Sequence, residues 1–385
     1  MYFTRRLKKP TRSFFLLGPR ATGKSTWLEA NFIDSCMRID LLRSDVYFPL
    51  MANPSLFRQR VLAQDSKNTW IIVDEIQRIP VLLNDIHSLM ENEGYQFALS
   101  GSSARKLKRG NANLLAGRAL VKHMYPLTHV EYGLDITLDE ALAFGTLPGV
   151  VTDPDFRIDR LEAYVDTYLR EEIKEEALTR NVQAFSRFLE VAALSNGQMT
   201  NLSNLSRDAA VPRATVSSYF EILTDTLLGA WLPAWTPRAK VKEIAHPKFY
   251  FFDCGVVRAI QKLLRDPIHA SARGVLFETM IFNELNAHIA YENIGGELSY
   301  WRTADGIEID FIWNRGATTV AIEVKSGTQW KKEYSRGVKS LFSSAVKPTA
   351  CYVIYCGQDV LKHDWGYALP WKVFLNQLYE GKIIS

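Results

Sequence analysis

No stretch of this 385-residue chain approaches the ~18 consecutive apolar residues of a membrane helix. The apolar run Phe14-Phe15-Leu16-Leu17 is also too short for the core of a signal peptide. The sequence therefore predicts a cytoplasmic chain with no membrane partner. Cysteine is sparse as well. The four present, Cys36, Cys254, Cys351 and Cys356, show no paired CxxC spacing, and the last two flank a strand-like apolar segment. That pattern favours reduced core thiols and speaks against a zinc ribbon or a disulfide scaffold. Neither charge is in large excess: 46 Lys and Arg stand against 42 Asp and Glu, a net of +4, too small to indicate nucleic acid by itself. Its distribution says more. The first 28 residues contain Arg5, Arg6, Lys8, Lys9, Arg12, Arg20 and Lys24 and no acidic residue, a field suited to phosphate and equally to a solvated N-terminal arm.

What is present describes a globular α/β protein. Hydrophobic residues make up 47% of the chain and charged residues 23%, and the length predicts two or three domains. Residues 18 to 26 form a complete GxxxxGK(S/T) loop directly after the apolar run at 14 to 17. A buried strand that enters such a loop, followed by a helix, turns successive backbone N–H groups and a helix N-terminus toward phosphate. Gly18, Pro19, Arg20, Ala21, Thr22, Gly23, Lys24, Ser25 and Thr26 are thus the expected ATP cradle. Lys24 is expected to reach the β- and γ-phosphates and Ser25 to hold Mg²⁺.

Trp70-Ile71-Ile72-Val73 runs into Asp74-Glu75, the pattern of a buried parallel strand that opens on a catalytic edge. Here Asp74 is the expected Mg²⁺ partner, and Glu75 the residue that orients and deprotonates the attacking water. A third strand, Gln96 to Leu99, leads into Ser100-Gly101-Ser102-Ser103, and Ser102 or Ser103 is expected to sense the γ-phosphate. Arg118, just after Gly117, and Arg105 are candidates to stabilise transition-state charge, in cis or from a neighbouring subunit.

Residues 1–135 alternate strands with helical stretches, as a parallel-sheet nucleotide-binding domain does. Residues 139–195 read as helical throughout, with Leu161, Tyr164, Val165, Tyr168 and Leu169 at three-to-four spacing, a lid or connector. Beyond them a short helix around Leu202, Leu205 and Ala209, a break at Val211-Pro212, a second helix through Val216, Tyr219, Phe220 and Leu223, and a hairpin from Leu228 to Ile244 predict a winged helix-turn-helix. Arg213, Thr215, Ser217 and Ser218, with Arg238, Lys240 and Lys242 in the wing, suit contact with a phosphate backbone; one cation on the second helix does not suit base reading. A purely structural module has the same pattern. The predicted boundaries are 1–135, 136–242 and 243–385.

The last third carries a second constellation. Phe249 to Phe252 reads as an apolar strand, and in the helix after Gly274 Glu278 shares a face with Ile281, Phe282 and Leu285. A carboxylate there needs a partner. Strands at Ser299–Arg302 and Ile307–Trp313 flank an Ala304-Asp305-Gly306 turn, and alternation places Ile307, Ile309, Phe311 and Trp313 on one face and Asp310 on the other. In a third strand, Thr319 to Lys325, Glu323 and Lys325 project together. Asp310 followed by Glu323-Val324-Lys325, with Glu278 upstream, is a D…ExK set: carboxylates to hold Mg²⁺ at a phosphodiester, Asp310 and Glu323 foremost, and a lysine to stabilise charge or position water. Such a fold can cut or can only hold.

The segments GPRATGKST at 18, IIVDEIQ at 71, LSGSSARKL at 99, LLAGRAL at 114, YPLTHVEY at 125, PKFYFFDCG at 247, RGVLFETMIFNEL at 273, YWRTADGIEIDFI at 300 and AIEVKSG at 321 closely resemble a family of bacterial and archaeal AAA-type P-loop ATPases. Its members carry a C-terminal domain with a restriction-endonuclease-like core, and the resemblance spans nearly the whole chain. It implies ATP binding at Gly23, Lys24, Ser25 and Asp74, water activation by Glu75, and nuclease-type positions at Glu278, Asp310, Glu323 and Lys325. By analogy it also implies a homo-oligomer and action on DNA. Three functions follow as expectations: an Mg²⁺-dependent ATPase that moves along or remodels duplex or branched DNA without sequence specificity, an ATP-regulated Mg²⁺ nuclease, and a nucleotide switch that controls a protein partner.

Overall fold

The computed structural model describes residues 3–33, 36–64, 69–103, 117–133, 136–169, 182–235, 246–343 and 347–385. They form two compact units, Tyr2–Pro126 with Glu221–Leu228, and Leu127–Phe220 with Gly229–Ser385. Three domains were the expectation. The middle and last segments share one unit because they are packed backbone to backbone: a Cβ added at Gly255 would lie 2.0 Å from the Phe144 carbonyl oxygen. Asp253 joins them further, accepting from the Thr146 N–H at 2.8 Å while it caps the helix Cys254–Ile260.

In the N-terminal unit five short strands, β1 (Phe14–Leu17), β2 (Cys36–Asp40), β3 (Trp70–Asp74), β4 (Gln96–Gly101) and β5 (Leu120–His123), form one sheet in the order β2-β3-β4-β1-β5. All pairings are parallel. Phe14 to Leu17 and Ile71 to Val73 are buried on both sides, which is why these strands read as continuous apolar runs rather than alternating ones. Helices such as Lys24–Asn31 and Leu82–Glu93 cover the faces. A parallel sheet gathers the carboxyl ends of its strands on one edge. The phosphate loop, Asp74 and the Ser100–Ser103 segment all lie on that edge, with β4 between β1 and β3.

The second unit opens with short helices at Leu138–Phe144, Pro148–Thr152 and Arg157–Ala163, then Val182–Leu194. The continuous helical stretch expected over 139–195 is broken at Gly145 and again at Asp153-Pro154, where the residue before a proline leaves the helical region. Helices Leu202–Asp208 and Arg213–Asp225 follow, and Asn201 caps the first. β6 (Gly229–Leu232) then pairs antiparallel with β7 (Lys248–Phe251). The strand expected to open the third domain is therefore the second strand of the wing-like hairpin. The predicted boundary at 242 falls inside that hairpin. Arg238, Lys240 and Lys242 lie outside the described residues, as does Arg105.

A mixed six-stranded sheet completes this unit: β8 (Glu297–Arg302), β9 (Glu308–Arg315), β10 (Thr318–Lys325), β11 (Ala350–Tyr355), β12 (Leu361–His363) and β13 (Gly366–Pro370), in the order β12-β13-β11-β10-β9-β8. The predicted hairpin is present, with Gly306 at φ 85° in its turn. The predicted alternation on β9 is not. Ser299 pairs with Ile312 and Trp301 with Ile309, two residues on β8 against three on β9. This bulge moves Ile309 and Ile312 into one core with Val338 and Leu341 of the helix Arg336–Phe342. Phe311 instead stacks on Phe282 of the helix Ala270–Glu292 with ring centroids 6.0 Å apart. One extra residue thus separates Ile309 from Phe311, which simple alternation placed together.

Candidate functional site

The phosphate loop is shaped by its glycines and tied down by side chains from elsewhere in its unit. A Cβ on Gly18 would sit 2.4 Å from the Met124 carbonyl oxygen, so the close approach of the loop to the segment after β5 requires glycine. Gly23, at φ 91°, provides the left-handed residue that starts the helix Lys24–Asn31. Thr22 is fully buried and its hydroxyl donates to the Pro19 carbonyl at 2.8 Å. Lys24 folds over the loop, its ammonium donating to the Gly18 and Pro19 carbonyls at 2.8 and 3.0 Å. Arg5 braces the loop from outside, donating to the Thr22 and Tyr125 carbonyls at 2.6 Å each. The basic N-terminal segment is therefore partly structural: besides Arg5, Lys9 donates to the Asn31 carbonyl at 2.7 Å and covers the Phe32 ring.

Ser25 Oγ donates to Asp74 Oδ2 at 2.7 Å, while Ser100 Oγ hydrogen-bonds the other oxygen, Oδ1. Adjacent ligands of an octahedral Mg²⁺ stand about 2.9 Å apart for metal–oxygen distances of ~2.05 Å. The Ser25–Asp74 spacing fits that requirement, and Ser25 is exposed at the mouth of the site. Glu75 sits in the left-handed region at φ 56°, ψ 46°, and its carboxylate accepts from Gln77 Nε2. The same Gln77 nitrogen reaches Ser102 Oγ at 3.1 Å.

Lys24, Ser25, Asp74 and Glu75 thus share one edge, as the loop and strand patterns require. Three functional neighbours escaped the sequence reading. Ser100, given no role in the sequence reading, is the hydroxyl that meets Asp74, and its place in the small polar run at the end of β4 was the available signal. Gln77 and Arg5 left no local signal, since each acts across a large separation in sequence or around a turn. Arg118 is a correction. It precedes β5, and β5 runs parallel to β1 with Phe14 opposite Leu120, so Arg118 stands at the far end of the sheet from the phosphate loop. There its guanidinium pairs with Glu91, both exposed. A cis role is excluded by that placement.

The second constellation gathers where β9 begins and β10 ends. Asp310 Oδ2 accepts from the Val324 N–H at 2.7 Å. Lys325 Nζ lies 2.5 Å from Glu323 Oε1, while Glu323 Oε2 is buried with no hydrogen-bond partner among the described residues. Tyr250 Oη donates to Glu278 Oε2 at 3.2 Å, and buried Lys248 pairs with Glu308 and lies 3.9 Å from Glu278. Burial first, and the nearby Asp310 charge second, push Glu278 up to about 8 and Glu323 well above the usual carboxylate range. Burial pulls both lysines down, but the surrounding carboxylates win and hold Lys248 and Lys325 above their ordinary values. Among the described residues, no three His, Cys, Asp or Glu side chains stand close enough to hold a metal ion. Of the expected metal pair, Asp310 Oδ2 meets a backbone N–H and Glu323 Oε1 meets a lysine. Lys248 was missed, although a lysine opening the apolar run Lys248–Phe252 was a visible anomaly.

On the helix Arg213–Asp225, Arg213 and Ser218 are exposed and Thr215 and Ser217 half-buried. The Ser217 hydroxyl is turned inward onto the Arg213 carbonyl at 3.3 Å. No helix among the described residues is long and apolar enough to cross a membrane.

Residues 10–133 match the AAA domain family. The match falls on the N-terminal unit, whose parallel sheet and phosphate loop fit an AAA-type P-loop fold. Residues 136–266 and 273–374 match two domain families of unknown function, DUF8612 and DUF4143; the first runs past the wing-like hairpin, as the structure does. The chain is 25% identical to an uncharacterised protein of Mycobacterium tuberculosis, over 80% of this chain and 69% of that one. It is 23% identical to an uncharacterised protein of Haemophilus influenzae (69% and 68% covered) and 22% to one of Methanocaldococcus jannaschii (73% and 68%). Among solved structures, the Aeropyrum pernix ORC1 protein in complex with DNA aligns at TM-score 0.25 and 13% identity, covering 68% of this chain and 88% of that one. Protein VC1899 from Vibrio cholerae aligns at TM-score 0.22 and 8% identity, covering 96% of each. At such scores neither alignment bears on the fold, which rests on the sheet order and the AAA match.

Proposed function

We propose that this chain is an Mg²⁺-dependent ATPase that acts on DNA, gripping the phosphate backbone without reading sequence and working as a homo-oligomer. The observation that carries the ATPase part is the Ser25–Asp74 contact at 2.7 Å, with Glu75 held beside it by Gln77. Residues Gly18 to Thr26 hold the nucleotide, and Ser25 and Asp74 hold Mg²⁺, which when bound neutralises charge on the phosphates. Lys24 leaves the loop carbonyls for the β- and γ-phosphates. Glu75 orients the attacking water and takes its proton, while Ser102 senses the γ-phosphate through Gln77. Arg118 acts, if at all, on a neighbouring subunit's nucleotide.

DNA contact is supported by the exposed Arg213 and by a charge cluster, Asp310, Glu323 and Lys325, at one end of the second sheet. In this arrangement Lys325 and Lys248 neutralise the carboxylates, which suits holding a phosphodiester. The test is the ATPase rate with single-stranded, duplex and four-way-junction DNA and without DNA. Stimulation by DNA supports the proposal; a rate indifferent to every DNA, with no DNA bound at low salt, refutes it.

A second reading, cleavage, is favoured by one atom. Among the described residues Glu323 Oε2 is buried without a partner, and a divalent cation is what would satisfy it. Asp310 and Glu323 would then hold the ion together with the phosphodiester itself, and Lys325 would stabilise the charge on it. Incubation of linear, nicked and branched DNA with Mg²⁺ or Mn²⁺ tests this against Asp310→Ala: intact DNA, or products unchanged by the substitution, would rule it out.

A further inference from the structure

Residues 325–347 carry six cations, Lys325, Lys331, Lys332, Arg336, Lys339 and Lys347, and a single acid, Glu333. In the structure this segment leaves the end of β10, passes through a turn at Lys332–Ser335 and enters the helix Arg336–Phe342. The helix buries Gly337, Val338 and Leu341 and turns outward the charged side that holds Arg336 and Lys339, three residues apart. Lys331, Lys332, Arg336 and Lys339 are all exposed, and none forms an ion pair with a described residue. The acids of the segment and of the adjoining hairpin are Glu333, Asp305, held low chiefly by its hydrogen bond to Thr303 and also by Arg336, and half-buried Glu308, which is itself paired with Lys248 and Arg302. Four exposed cations against two exposed acids leave a net positive strip. Like charges three residues apart on one helical side repel, and a polyanion lying along them removes that repulsion.

The strip also has a direction. A Cβ on Gly337 would lie 2.2 Å from the Glu308 carbonyl oxygen, so the helix begins directly over the start of β9, two residues before Asp310. Lys325, at the other end of the strip, is itself paired with Glu323. Aromatic groups border the path: Trp330 stacks on His363 with ring centroids 5.1 Å apart, and Lys347 lies over the Phe342 ring. We infer that Lys331, Lys332, Arg336 and Lys339 form a track for the phosphate backbone of a nucleic acid, leading it to the Asp310–Glu323–Lys325 end of the sheet. The inference rests on the reading that this protein acts on DNA, and names the surface that does the gripping. An acidic protein segment is the competing occupant. The track lies beside a site made for a phosphodiester, which favours nucleic acid.

The test is the affinity of the full chain for a labelled duplex as salt is raised from roughly 50 to 200 mM, compared with K332Q/R336Q/K339Q and with the charge-keeping variant K332R/K339R. Each phosphate contact contributes about 0.9 to the slope of log K against log salt. The neutral triple variant is expected to lower that slope by about 2 to 3 and to weaken binding roughly 10- to 100-fold at the lower salt. The charge-keeping variant is expected to match the wild type. Basal ATPase and the melting temperature serve as folding controls and are expected to be unchanged. If the wild type binds DNA and the triple variant binds with the same affinity and slope, the track is refuted and the DNA-acting reading stands. If the wild type binds no DNA at low salt, both fall. Loss of poly-glutamate binding in the triple variant with DNA binding intact assigns the strip to an acidic protein and overturns the proposal.

Discussion

The two charged sites are built on opposite plans. At the phosphate-loop edge the backbone does most of the shaping, through Gly18, Gly23 and the ends of parallel strands, and Ser25 and Thr26 stand open to solvent. Around Asp310 the side chains do the shaping, and three carboxylates are crowded with two lysines in a buried sheet end. The first plan needs a contiguous stretch of sequence, and of its side chains Lys24 is the one that a phosphate would draw from the loop carbonyls. In the second, residues brought from four elements set one another's protonation, so ligand entry must displace protons or ammonium groups.

That contrast can be broken most severely at the first site. Lys24→Ala should lower kcat/KM for ATP by about 10³–10⁵-fold, since it removes the principal cation on the transferred phosphate; a steady-state assay with more than a tenth of wild-type activity would dissolve the assignment. Glu75→Gln should cost about 10²–10⁴ in kcat while nucleotide affinity, read by fluorescent ATP binding, is kept. Gln77→Ala should have a smaller effect, about tenfold in kcat with KM unchanged, because it loosens Glu75 without removing it. An unchanged kcat there would show that the Glu75–Gln77–Ser102 chain does not position the base.

The smallest expected effect concerns a buried acid of the second unit that lies apart from the proposed site. Glu284 accepts from the His129 N–H and from Tyr379 Oη at 2.7 Å each, and burial pushes it up to about 8. A carboxyl raised in the folded state stabilises fully below its unfolded pKa, near 4.5, and that stabilisation is lost as pH rises toward about 8. Glu278, also at about 8, adds a decline of the same sign. Glu284→Gln keeps the acceptor for the His129 N–H, replaces the second bond by one in which the amide donates to Tyr379 Oη, and removes one ionisation. It should flatten the fall in melting temperature between about pH 5 and pH 8 and gain a few degrees at the upper end. An equally steep profile in the variant would show that Glu284 is ionised throughout.

The same contrast explains what could be read from the residues alone. Phe14 to Thr26 and Trp70 to Glu75 were legible because strand, loop and chemistry are contiguous in each. Ser100 was half-legible: the small polar cluster after β4 stood out, but which hydroxyl meets Asp74 depends on pleat and register. Arg5 and Gln77 were not legible, being recruited through loop geometry rather than through a motif. In the second unit Asp310, Glu323 and Lys325 were visible by spacing, yet the bulge that separates Ile309 from Phe311 carries no local signal. The pairing of β6 with β7 spans a long connection, so Lys248–Phe251 read as the start of a new domain when it is the return strand of a hairpin. Arg118 misled because the tetrapeptide around it says nothing about which end of a strand it will occupy.

The proposed function joins ATP hydrolysis in the N-terminal unit to DNA held by the second. The initial rate of ATP hydrolysis by the full chain in Mg²⁺ at low salt, titrated with duplex DNA, probes that link. Hydrolysis should be lost on removal of Mg²⁺ and should rise severalfold with DNA to a saturating value; a rate that ignores DNA of every shape, from a protein that binds none, would overturn it.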